Sequence, residues 1–175
     1  MFDLSERAAL VTGASGGIGG AVARALHAQG ATVGLTGRDG AALNALAEEL
    51  GDRAHVLIAD LADSEAVGAL MGAAEAAMGK VDVLVNNAGL TRDTLAMRMK
   101  DEDWDAVIAV NLTAGFRLAR AALRGMMRAR FGRIVSITSV VGHVGNPGQA
   151  NYVASKAGLA GMTKALAIEV ASRGI

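Results

Sequence analysis

Short apolar runs alternate with longer helical patterns along the whole chain. Apolar residues at helical spacing predict helices at residues 18–29, 40–50, 64–78 and 103–129. Between these helices, apolar runs too short for a helix predict buried β-strands at residues 8–12, 31–36, 54–59, 81–86 and 133–138. Such alternation produces right-handed crossovers and a parallel sheet covered on both faces. The pattern therefore predicts an α/β fold with a doubly wound parallel sheet, in which ligands bind at the carboxyl ends of the strands.

Length and composition limit the organisation and the partners of the chain. No repeat or linker divides its 175 residues, so we expect residues 1–175 to form a single domain. Lys plus Arg and Asp plus Glu number 17 each, so net charge favours neither nucleic acid nor an anionic membrane. The lack of cysteine excludes disulfides and cysteine-ligated metal, and His27, His55 and His143 are too scattered for a metal site. We expect no metal, no nucleic acid and no membrane as partners.

The hydropathy pattern also bears on localisation. No apolar stretch approaches the roughly 20 residues needed to span a bilayer. Residues 1–7 carry Asp3, Glu6 and Arg7, and they do not resemble a secretory signal or a transit peptide. Because the chain also lacks cysteine, we expect a soluble protein of the cytoplasm.

A glycine-rich turn follows the first predicted strand and precedes the first predicted helix. It consists of Thr12-Gly13-Ala14-Ser15-Gly16-Gly17-Ile18-Gly19. Glycines here allow a tight turn, close approach of a pyrophosphate to the backbone, and direct packing of helix on strand. The helix N-terminus offers unpaired N–H groups to the anion. A lone glycine-rich turn also serves as an ordinary connection, but its place between strand and helix favours a dinucleotide site.

Near the end of the chain, Ser139 is followed by Tyr152 and Lys156, a combination suited to carbonyl reduction. If residues 151–173 form a helix, the tyrosine and the lysine lie at i and i+4, one turn apart on one face. A free tyrosine has a pKa of about 10 and is a poor acid at neutral pH, but a nearby fixed cation stabilises the phenolate. Taken alone, this spacing is better explained by a solvated tyrosine and lysine, so the surrounding motifs decide its meaning.

Four motifs in this order resemble the short-chain dehydrogenase/reductase family: the glycine-rich turn, Asn86-Asn87-Ala88-Gly89, Ser139, and Tyr152-x-x-x-Lys156. Within that family, residues 86–104, 111–113 and 139–173 resemble the β-ketoacyl-acyl-carrier-protein reductases. The resemblance implies a Rossmann-type fold and NADPH-dependent reduction of a 3-oxoacyl thioester to the 3-hydroxyacyl thioester in fatty acid biosynthesis. Two alternatives remain: a short-chain dehydrogenase acting on another alcohol or ketone, and an inactive nucleotide-binding fragment.

The resemblance also implies a catalytic role for each of four residues. Ser139 would hydrogen-bond the substrate carbonyl oxygen, Tyr152 would protonate it, and Lys156 would stabilise the phenolate and hold the nicotinamide ribose. Asn111 would complete a tetrad by helping to hold a water that relays protons to the lysine. Independently, Trp104, Val107, Ile108 and Asn111 fall on one helical face, so this amide should be buried and hydrogen-bonded. A purely structural amide is the alternative.

The predicted cofactor contacts follow from the same resemblance and lie at several strand ends. They are Gly13, Ser15, Gly16, Gly17, Ile18, Gly19, Arg38, Asp60, Leu61, Asn87, Ala88, Gly89, Tyr152 and Lys156. Asp60 would meet the adenine, and the second strand ends in Thr36-Gly37-Arg38, where an NAD enzyme commonly has an acid. Gly37 offers no carboxylate and Arg38 can pair with a 2′-phosphate, which favours NADPH. Gly16 departs from the reductases, which often have a second arginine there.

The resemblance further implies a carrier-protein partner and a homo-oligomer, specifically a homotetramer. Arg130 and Arg173 match the surface that meets the acidic acyl carrier protein, and Arg124, Arg128 and Arg133 would add to its field. Solvated arginines near helix ends are the alternative. The family continues beyond the tyrosine helix with further strands and a substrate-covering segment. For a chain ending at Ile175, we therefore expect a C-terminally incomplete sheet with an exposed edge.

Overall fold

Five parallel strands form one sheet in the computed structural model, which describes residues 3–175. Residues 1 and 2, which belong to the expected domain 1–175 and to the N-terminal segment 1–7, lie outside the described residues. The strands are β1 Ala8–Thr12, β2 Thr32–Gly37, β3 Ala54–Ile58, β4 Val83–Asn86 and β5 Arg133–Ser136. They are arranged in the order β3-β2-β1-β4-β5, so the direction of winding reverses between β1 and β4. This is the predicted doubly wound Rossmann-type sheet, and its switch point opens a crevice at the carboxyl ends of these two strands.

Seven α-helices connect and cover the strands in the described part of the chain. They are α1 Gly17–Ala28, α2 Gly40–Leu50, α3 Ser64–Met78, α4 Asp101–Ile108, α5 Ala114–Ala129, α6 Val141–Val144 and α7 Ala150–Val170. Single 3₁₀ turns lie at Ala96–Arg98 and Ala171–Arg173. The four-residue α6 lies in a segment for which no helix was predicted.

The core has two halves, one on each face of the sheet. Alternate residues of a strand point to opposite faces, so Leu10 of β1 packs with α3 and α5, whereas Val11 packs with α1 and α2. Leu84 and Val85 divide in the same way in β4, and they stand opposite Leu10 and Val11 in the β1–β4 register. This two-sided burial explains why β1 and β4 are apolar at every position except the last, which is Thr12 in β1 and Asn86 in β4.

The predicted helix at residues 103–129 is interrupted in the structure. A π-helical segment, Ala109–Thr113, separates α4 from α5. Such a segment widens one turn of the helix, and π-bulges are frequent at functional sites. Trp104 was expected to lie in a buried stripe, but it is 40% exposed, whereas Val107 is fully buried.

The combined helical segment Asp101–Ala129 is 29 residues long, and it is apolar enough to cross a membrane by length and composition alone. The expectation that no stretch approaches this length was therefore wrong. In this fold the segment covers the sheet, because Leu118 and Met126 are buried in the core half that contains α3. Burial against the sheet accounts for part of the apolar composition of the segment, since 44% of its most apolar stretch is buried.

Candidate active site

A cavity of about 390 Å³ opens at the switch point of the sheet, where β1, β2, β3 and β4 end. Every residue predicted to bind the cofactor, except the two in α7, lines this cavity. They are Gly13, Ser15, Gly16, Gly17, Ile18, Gly19, Arg38, Asp60, Leu61, Asn87, Ala88 and Gly89. The remaining wall includes Gly37, Ala59, Ala62, Leu90 and Val110. Residues from four strand ends therefore meet in one concave site.

Two glycines of the turn after β1 are required by its geometry. Gly13 has a φ of +66°, a left-handed conformation that favours glycine. A Cβ atom on Gly19 would overlap the Gly13 carbonyl oxygen and would lie 2.6 Å from Asn87 Nδ2. The missing side chains let α1 pack directly on the ends of β1 and β4, as the sequence predicted.

The N-terminus of α1 faces the same cavity. Gly16 precedes the helix, and no side chain caps its first turn. Gly17, Ile18 and Gly19 form that first turn and line the cavity. Their N–H groups and the helix dipole together make a suitable site for an anion.

Thr12 links β1 to the segment after β4 through hydrogen bonds, a role that sequence analysis missed. Its hydroxyl donates to Val85 O at 3.1 Å and accepts from Asn87 N at 2.9 Å and Ala88 N at 3.0 Å. In the other direction, Asn87 Nδ2 donates a hydrogen bond of 2.8 Å to Thr12 O. Because Thr12 is buried, these bonds fix two cavity walls relative to each other. The signal in the sequence was a hydroxyl residue at the last position of an apolar strand.

The ends of β2 and β3 supply one cationic and one anionic side chain to the cavity wall. Arg38 is exposed, and the carboxylate of its neighbour Asp39 accepts from Ala42 N at 3.0 Å as the N-cap of α2. A Cβ on Gly37 would lie 3.1 Å from Ser15 Oγ, so the glycine turn lies close to the end of β2. Asp60 is exposed, and its carboxylate accepts from the backbone N–H two residues later at 2.9 Å.

A second cavity, of about 330 Å³, contains the tyrosine and the lysine. It is lined by Ile18, Asn87, Gly89, Leu90, Thr91, Ile137, Thr138, Tyr152 and Lys156. The first four of these residues also line the first cavity, so the two cavities adjoin. Ser139 is half-buried beside Thr138 and is not among the wall residues. Its carbonyl oxygen accepts from Gly142 N at 3.0 Å, at the start of α6.

Lys156 is a buried cation beside the tyrosine ring. It is only 4% exposed, and its Nζ donates a hydrogen bond of 2.7 Å to Ile137 O. The same Nζ lies 5.7 Å from the centroid of the Tyr152 ring. Burial disfavours the charged form and lowers the pKa of Lys156 below its ordinary value. The predicted i, i+4 pair therefore lies on one face of α7 and lines one cavity.

Asn111 lies in the π-helical segment and is 2% exposed. Its Oδ1 accepts from Leu90 N at 2.8 Å, and its Nδ2 donates to Leu90 O at 3.0 Å and to Ser155 Oγ at 3.2 Å. The expected burial and hydrogen bonding are confirmed. A Cβ on Gly89 would lie 3.3 Å from Asn111 Oδ1 and 3.5 Å from Lys156 Nζ, so both side chains approach this glycine. Since both N–H groups are engaged within the protein, the amide has a clear structural role.

Asn151 is a further residue of the site that sequence analysis missed. It is fully buried, and its Oδ1 accepts from Tyr152 N at 2.8 Å. Its Nδ2 donates to Arg92 O at 3.0 Å and to Asp103 O at 3.3 Å. Asn151 thus ties the start of α7 to the segment after β4 and to α4. Nothing in its position before the tyrosine distinguished it from an ordinary polar residue of the first helical turn.

The arginines expected to meet a carrier protein lie away from both cavities. Arg133 is the first residue of β5, at the amino edge of the sheet, and it donates to Gly174 O at 2.9 Å. A Cβ on Gly174 would lie 2.7 Å from Arg130 O, so Arg130 and Arg173 lie close together near this edge. The cavities lie at the opposite, carboxyl edge.

A sequence model of the short chain dehydrogenase family matches residues 7–175. The chain belongs to this family. A crystal structure of a protein described as a short-chain alcohol dehydrogenase, from Sinorhizobium meliloti 1021, matches 98% of the chain with a TM-score of 0.93 and 43% identity. The match covers 69% of that protein. The chain is therefore an oxidoreductase domain of a family that uses nicotinamide cofactors.

Curated relatives within the short-chain dehydrogenase family have two different names. Nodulation protein G of Rhizobium sp. (strain N33) is 59% identical over 175 residues. The 3-oxoacyl-[acyl-carrier-protein] reductase of Rickettsia bellii (strain RML369-C) is 55% identical over 175 residues, and that of Escherichia coli (strain K12) is 51% identical over 174. The chain spans 71% of the length of each of these relatives. The resemblance noted in the sequence is thus confirmed at the family level.

Proposed function

We propose that this chain reduces a 3-oxoacyl thioester, bound to an acyl carrier protein, to the 3-hydroxyacyl thioester with NADPH in fatty acid biosynthesis. The observation that carries the proposal is the pair of adjoining cavities. One is lined by the glycine turn and the other by Tyr152 and Lys156, and they share Ile18, Asn87, Gly89 and Leu90. A dinucleotide in the first cavity would bring its reactive end to the second.

The first cavity fits a dinucleotide on the evidence of its backbone. The absent side chain at Gly19 and the uncapped first turn of α1 leave space and N–H donors for a pyrophosphate. Asp60 and Leu61 would lie against the adenine, and Lys156 would hold the nicotinamide ribose. When bound, the cofactor supplies the hydride that no side chain can provide.

The protein groups of the second cavity complete the reduction. Tyr152 would donate its phenolic proton to the carbonyl oxygen of the substrate as the carbonyl carbon gains the hydride, which gives a neutral alcohol. The hydroxyl of Ser139 would donate a hydrogen bond to the same oxygen. The buried ammonium of Lys156 would stabilise the resulting phenolate until a proton from solvent restores the phenol. Asn111 would hold Leu90, a wall residue of both cavities, in place.

The charge at the end of β2 supports NADPH over NADH. Gly37 offers no carboxylate to a ribose hydroxyl, and Asp39 caps α2. Arg38 lines the cavity and carries a guanidinium that can bind a 2′-phosphate through paired N–H groups. Gly16 contributes no second cation, so the preference depends largely on Arg38.

The names of the reductase relatives support a carrier-bound substrate. We assign carrier docking to Arg130 and Arg173, with Arg124, Arg128 and Arg133 adding positive charge. Because Arg130 and Arg133 lie near the amino edge of the sheet, a carrier docked there would present its thioester to a second subunit of a homo-oligomer, with a homotetramer as the expected assembly. We further propose that residues 1–175 act as one catalytic domain in the cytoplasm.

The substrate class is tested by following NADPH absorbance with an acetoacetyl thioester of acyl carrier protein. Turnover with this thioester should exceed turnover of sugar, steroid and simple alcohols with NADP⁺. Charge reversal at Arg130 and Arg173 should raise KM for the carrier thioester and leave KM for acetoacetyl-coenzyme A unchanged. Faster turnover of an alcohol would favour the alternative short-chain dehydrogenase activity, and no turnover of any substrate would favour the nucleotide-binding fragment.

A further inference from the structure

Tyr152 lies in the first turn of α7, where the backbone N–H groups have no partners within the helix. Helix ends fray, yet a proton donor has to keep a fixed position. In the structure, both backbone groups of Tyr152 bond to a neighbouring side chain. Its N–H donates to Asn151 Oδ1 at 2.8 Å, and its carbonyl oxygen accepts from Ser155 Oγ at 2.7 Å. Asn151 and Ser155 are fully buried.

The amide of Asn151 connects this helical turn to a wall of the tyrosine cavity. Leu90 and Thr91 line that cavity, and Arg92 directly follows them in the chain. We call residues 90–92 the wall segment. Asn151 Nδ2 donates to Arg92 O at 3.0 Å, so one buried side chain joins the N–H of Tyr152 to the end of the wall segment.

The hydroxyl of Ser155 makes a second connection to the same wall segment. Besides donating to Tyr152 O, it accepts from Asn111 Nδ2 at 3.2 Å. Asn111 in turn bonds to both backbone groups of Leu90. Two separate hydrogen-bonded routes therefore run from the backbone of Tyr152 to the wall segment, one from its N–H group and one from its carbonyl oxygen.

We propose that Asn151 and Ser155 are positioning residues, which fix the phenol of Tyr152 relative to the wall segment. Neither residue lines either cavity, so they act through Tyr152 and not on the reacting groups. Misplacement of a reacting group by about 1 Å can cost about 100-fold in rate. A purely structural role would instead lower stability and leave the kcat of the folded protein unchanged. The inference rests on the proposed function, because it concerns the tyrosine of that site.

Steady-state kinetics with NADPH and an acetoacetyl thioester separate positioning from stability. We expect Asn151→Ala and Ser155→Ala each to lower kcat by about 10- to 100-fold, with KM for NADPH unchanged. Ser155→Thr should restore most of the kcat, because a threonine hydroxyl in a helix can bond to the carbonyl oxygen three residues earlier.

Thr163→Ala is the matched control for the loss of a hydroxyl group. The Thr163 hydroxyl donates to Leu159 O at 2.8 Å, which is the same kind of bond in the same helix. Thr163 lines neither cavity and makes no bond to Tyr152. Its replacement should leave kcat unchanged.

A spectroscopic measurement reports the position of the tyrosine without turnover. Tyr152 is the only tyrosine of the chain, so protein labelled with ¹³C at the tyrosine ζ carbon gives one labelled signal in NMR spectra. We expect this signal to shift or broaden in Asn151→Ala and Ser155→Ala, because the ring then samples other positions. Thr163→Ala should keep the parental signal.

A parental tyrosine signal in both Asn151→Ala and Ser155→Ala, or a parental kcat in both, would overturn the proposal. An equal fall in kcat in Thr163→Ala would also overturn it, since the effect would then be a general loss of packing. If Asn151→Ala does not fold, Ser155→Ala decides, because it removes a single hydroxyl group. A parent protein without turnover would contradict the proposed reduction, whereas an altered tyrosine signal in the two variants would still support the positioning.

Discussion

The Nζ of Lys156 donates a 2.7 Å hydrogen bond to the carbonyl oxygen of Ile137, in the segment that follows β5. This bond fixes a cation that burial disfavours, and the pKa of Lys156 lies below its ordinary value for that reason. Between the lowered pKa and the ordinary lysine value of about 10.4, the unfolded chain binds more protons than the folded chain. The free energy of unfolding must rise with pH across this window, and below it the full cost of burying the charge is present.

Lys156→Met removes this titrating group and should reduce the dependence of the free energy of unfolding on pH. We expect the free energy of unfolding of the parent protein to increase relative to that of the variant as pH rises towards about 10. Urea denaturation at a series of pH values measures the difference. Lys164→Met, at an exposed position of the same helix, is the matched control and should keep the parental slope. A parental slope in Lys156→Met would show that the buried lysine does not cause the effect.

Gly19→Ala tests the packing of α1 against the cavity wall. The added methyl group would overlap the Gly13 carbonyl oxygen and crowd Asn87 Nδ2, so we expect a loss of about 1–3 kcal/mol in the free energy of unfolding. Gly17→Ala is the control in the same turn, since its methyl group would meet nothing within 4 Å. Thermal denaturation and dinucleotide binding should distinguish the two variants. Equal stability of both would contradict the close approach.

Asn111→Leu tests whether the amide holds the backbone of Leu90. The substitution leaves the N–H and carbonyl oxygen of Leu90 without their partner and should cost about 1–3 kcal/mol of unfolding free energy. Asn146→Leu, on an exposed loop, should change it by less than about 0.5 kcal/mol. If Asn111→Leu unfolds at the parental urea concentration, the structural role is wrong.

Arg38→Gln tests the proposed preference for NADPH. Loss of a charge-assisted bond to the 2′-phosphate, worth about 1.5–3 kcal/mol, should lower kcat/KM for NADPH by about 10- to 100-fold. The kcat/KM for NADH should stay the same, because that cofactor has no phosphate at this position. Arg98→Gln is an exposed control outside both cavities. An equal loss with both cofactors would assign Arg38 a structural role.

The apolar pattern was sufficient to predict the sheet because each strand is followed by polar residues or glycines, which also line one of the two cavities. It could not show the π-helical segment around Asn111. In that segment the backbone hydrogen bonds join residues five apart instead of four, and this change leaves the spacing of apolar residues almost unchanged. Helix α6 was missed because four residues are too few for a periodic signal. The roles of Thr12 and Asn151 depend on backbone groups distant in the sequence, which no local pattern contains.

The sequence also did not show how the separate motifs are placed relative to one another in the fold. The turn after β1 and the Tyr152 helix were each predicted separately, but their two cavities adjoin only because β1 and β4 are neighbours in the sheet. Likewise, Arg130 and Arg173 are far apart in the chain and meet near the amino edge, away from Tyr152. Strand order, more than residue type, decides which predicted residues can work together.

Turnover of Tyr152→Phe tests the central claim most directly, since this change removes only the phenolic hydroxyl. The measurement is the rate of NADPH oxidation with an acetoacetyl thioester, with NADPH binding and the free energy of unfolding recorded on the same samples. We predict a fall in kcat of at least about 100-fold in a variant that still binds NADPH and keeps the parental stability. Full turnover by Tyr152→Phe would contradict proton donation by this residue, and with it the proposed reductase site.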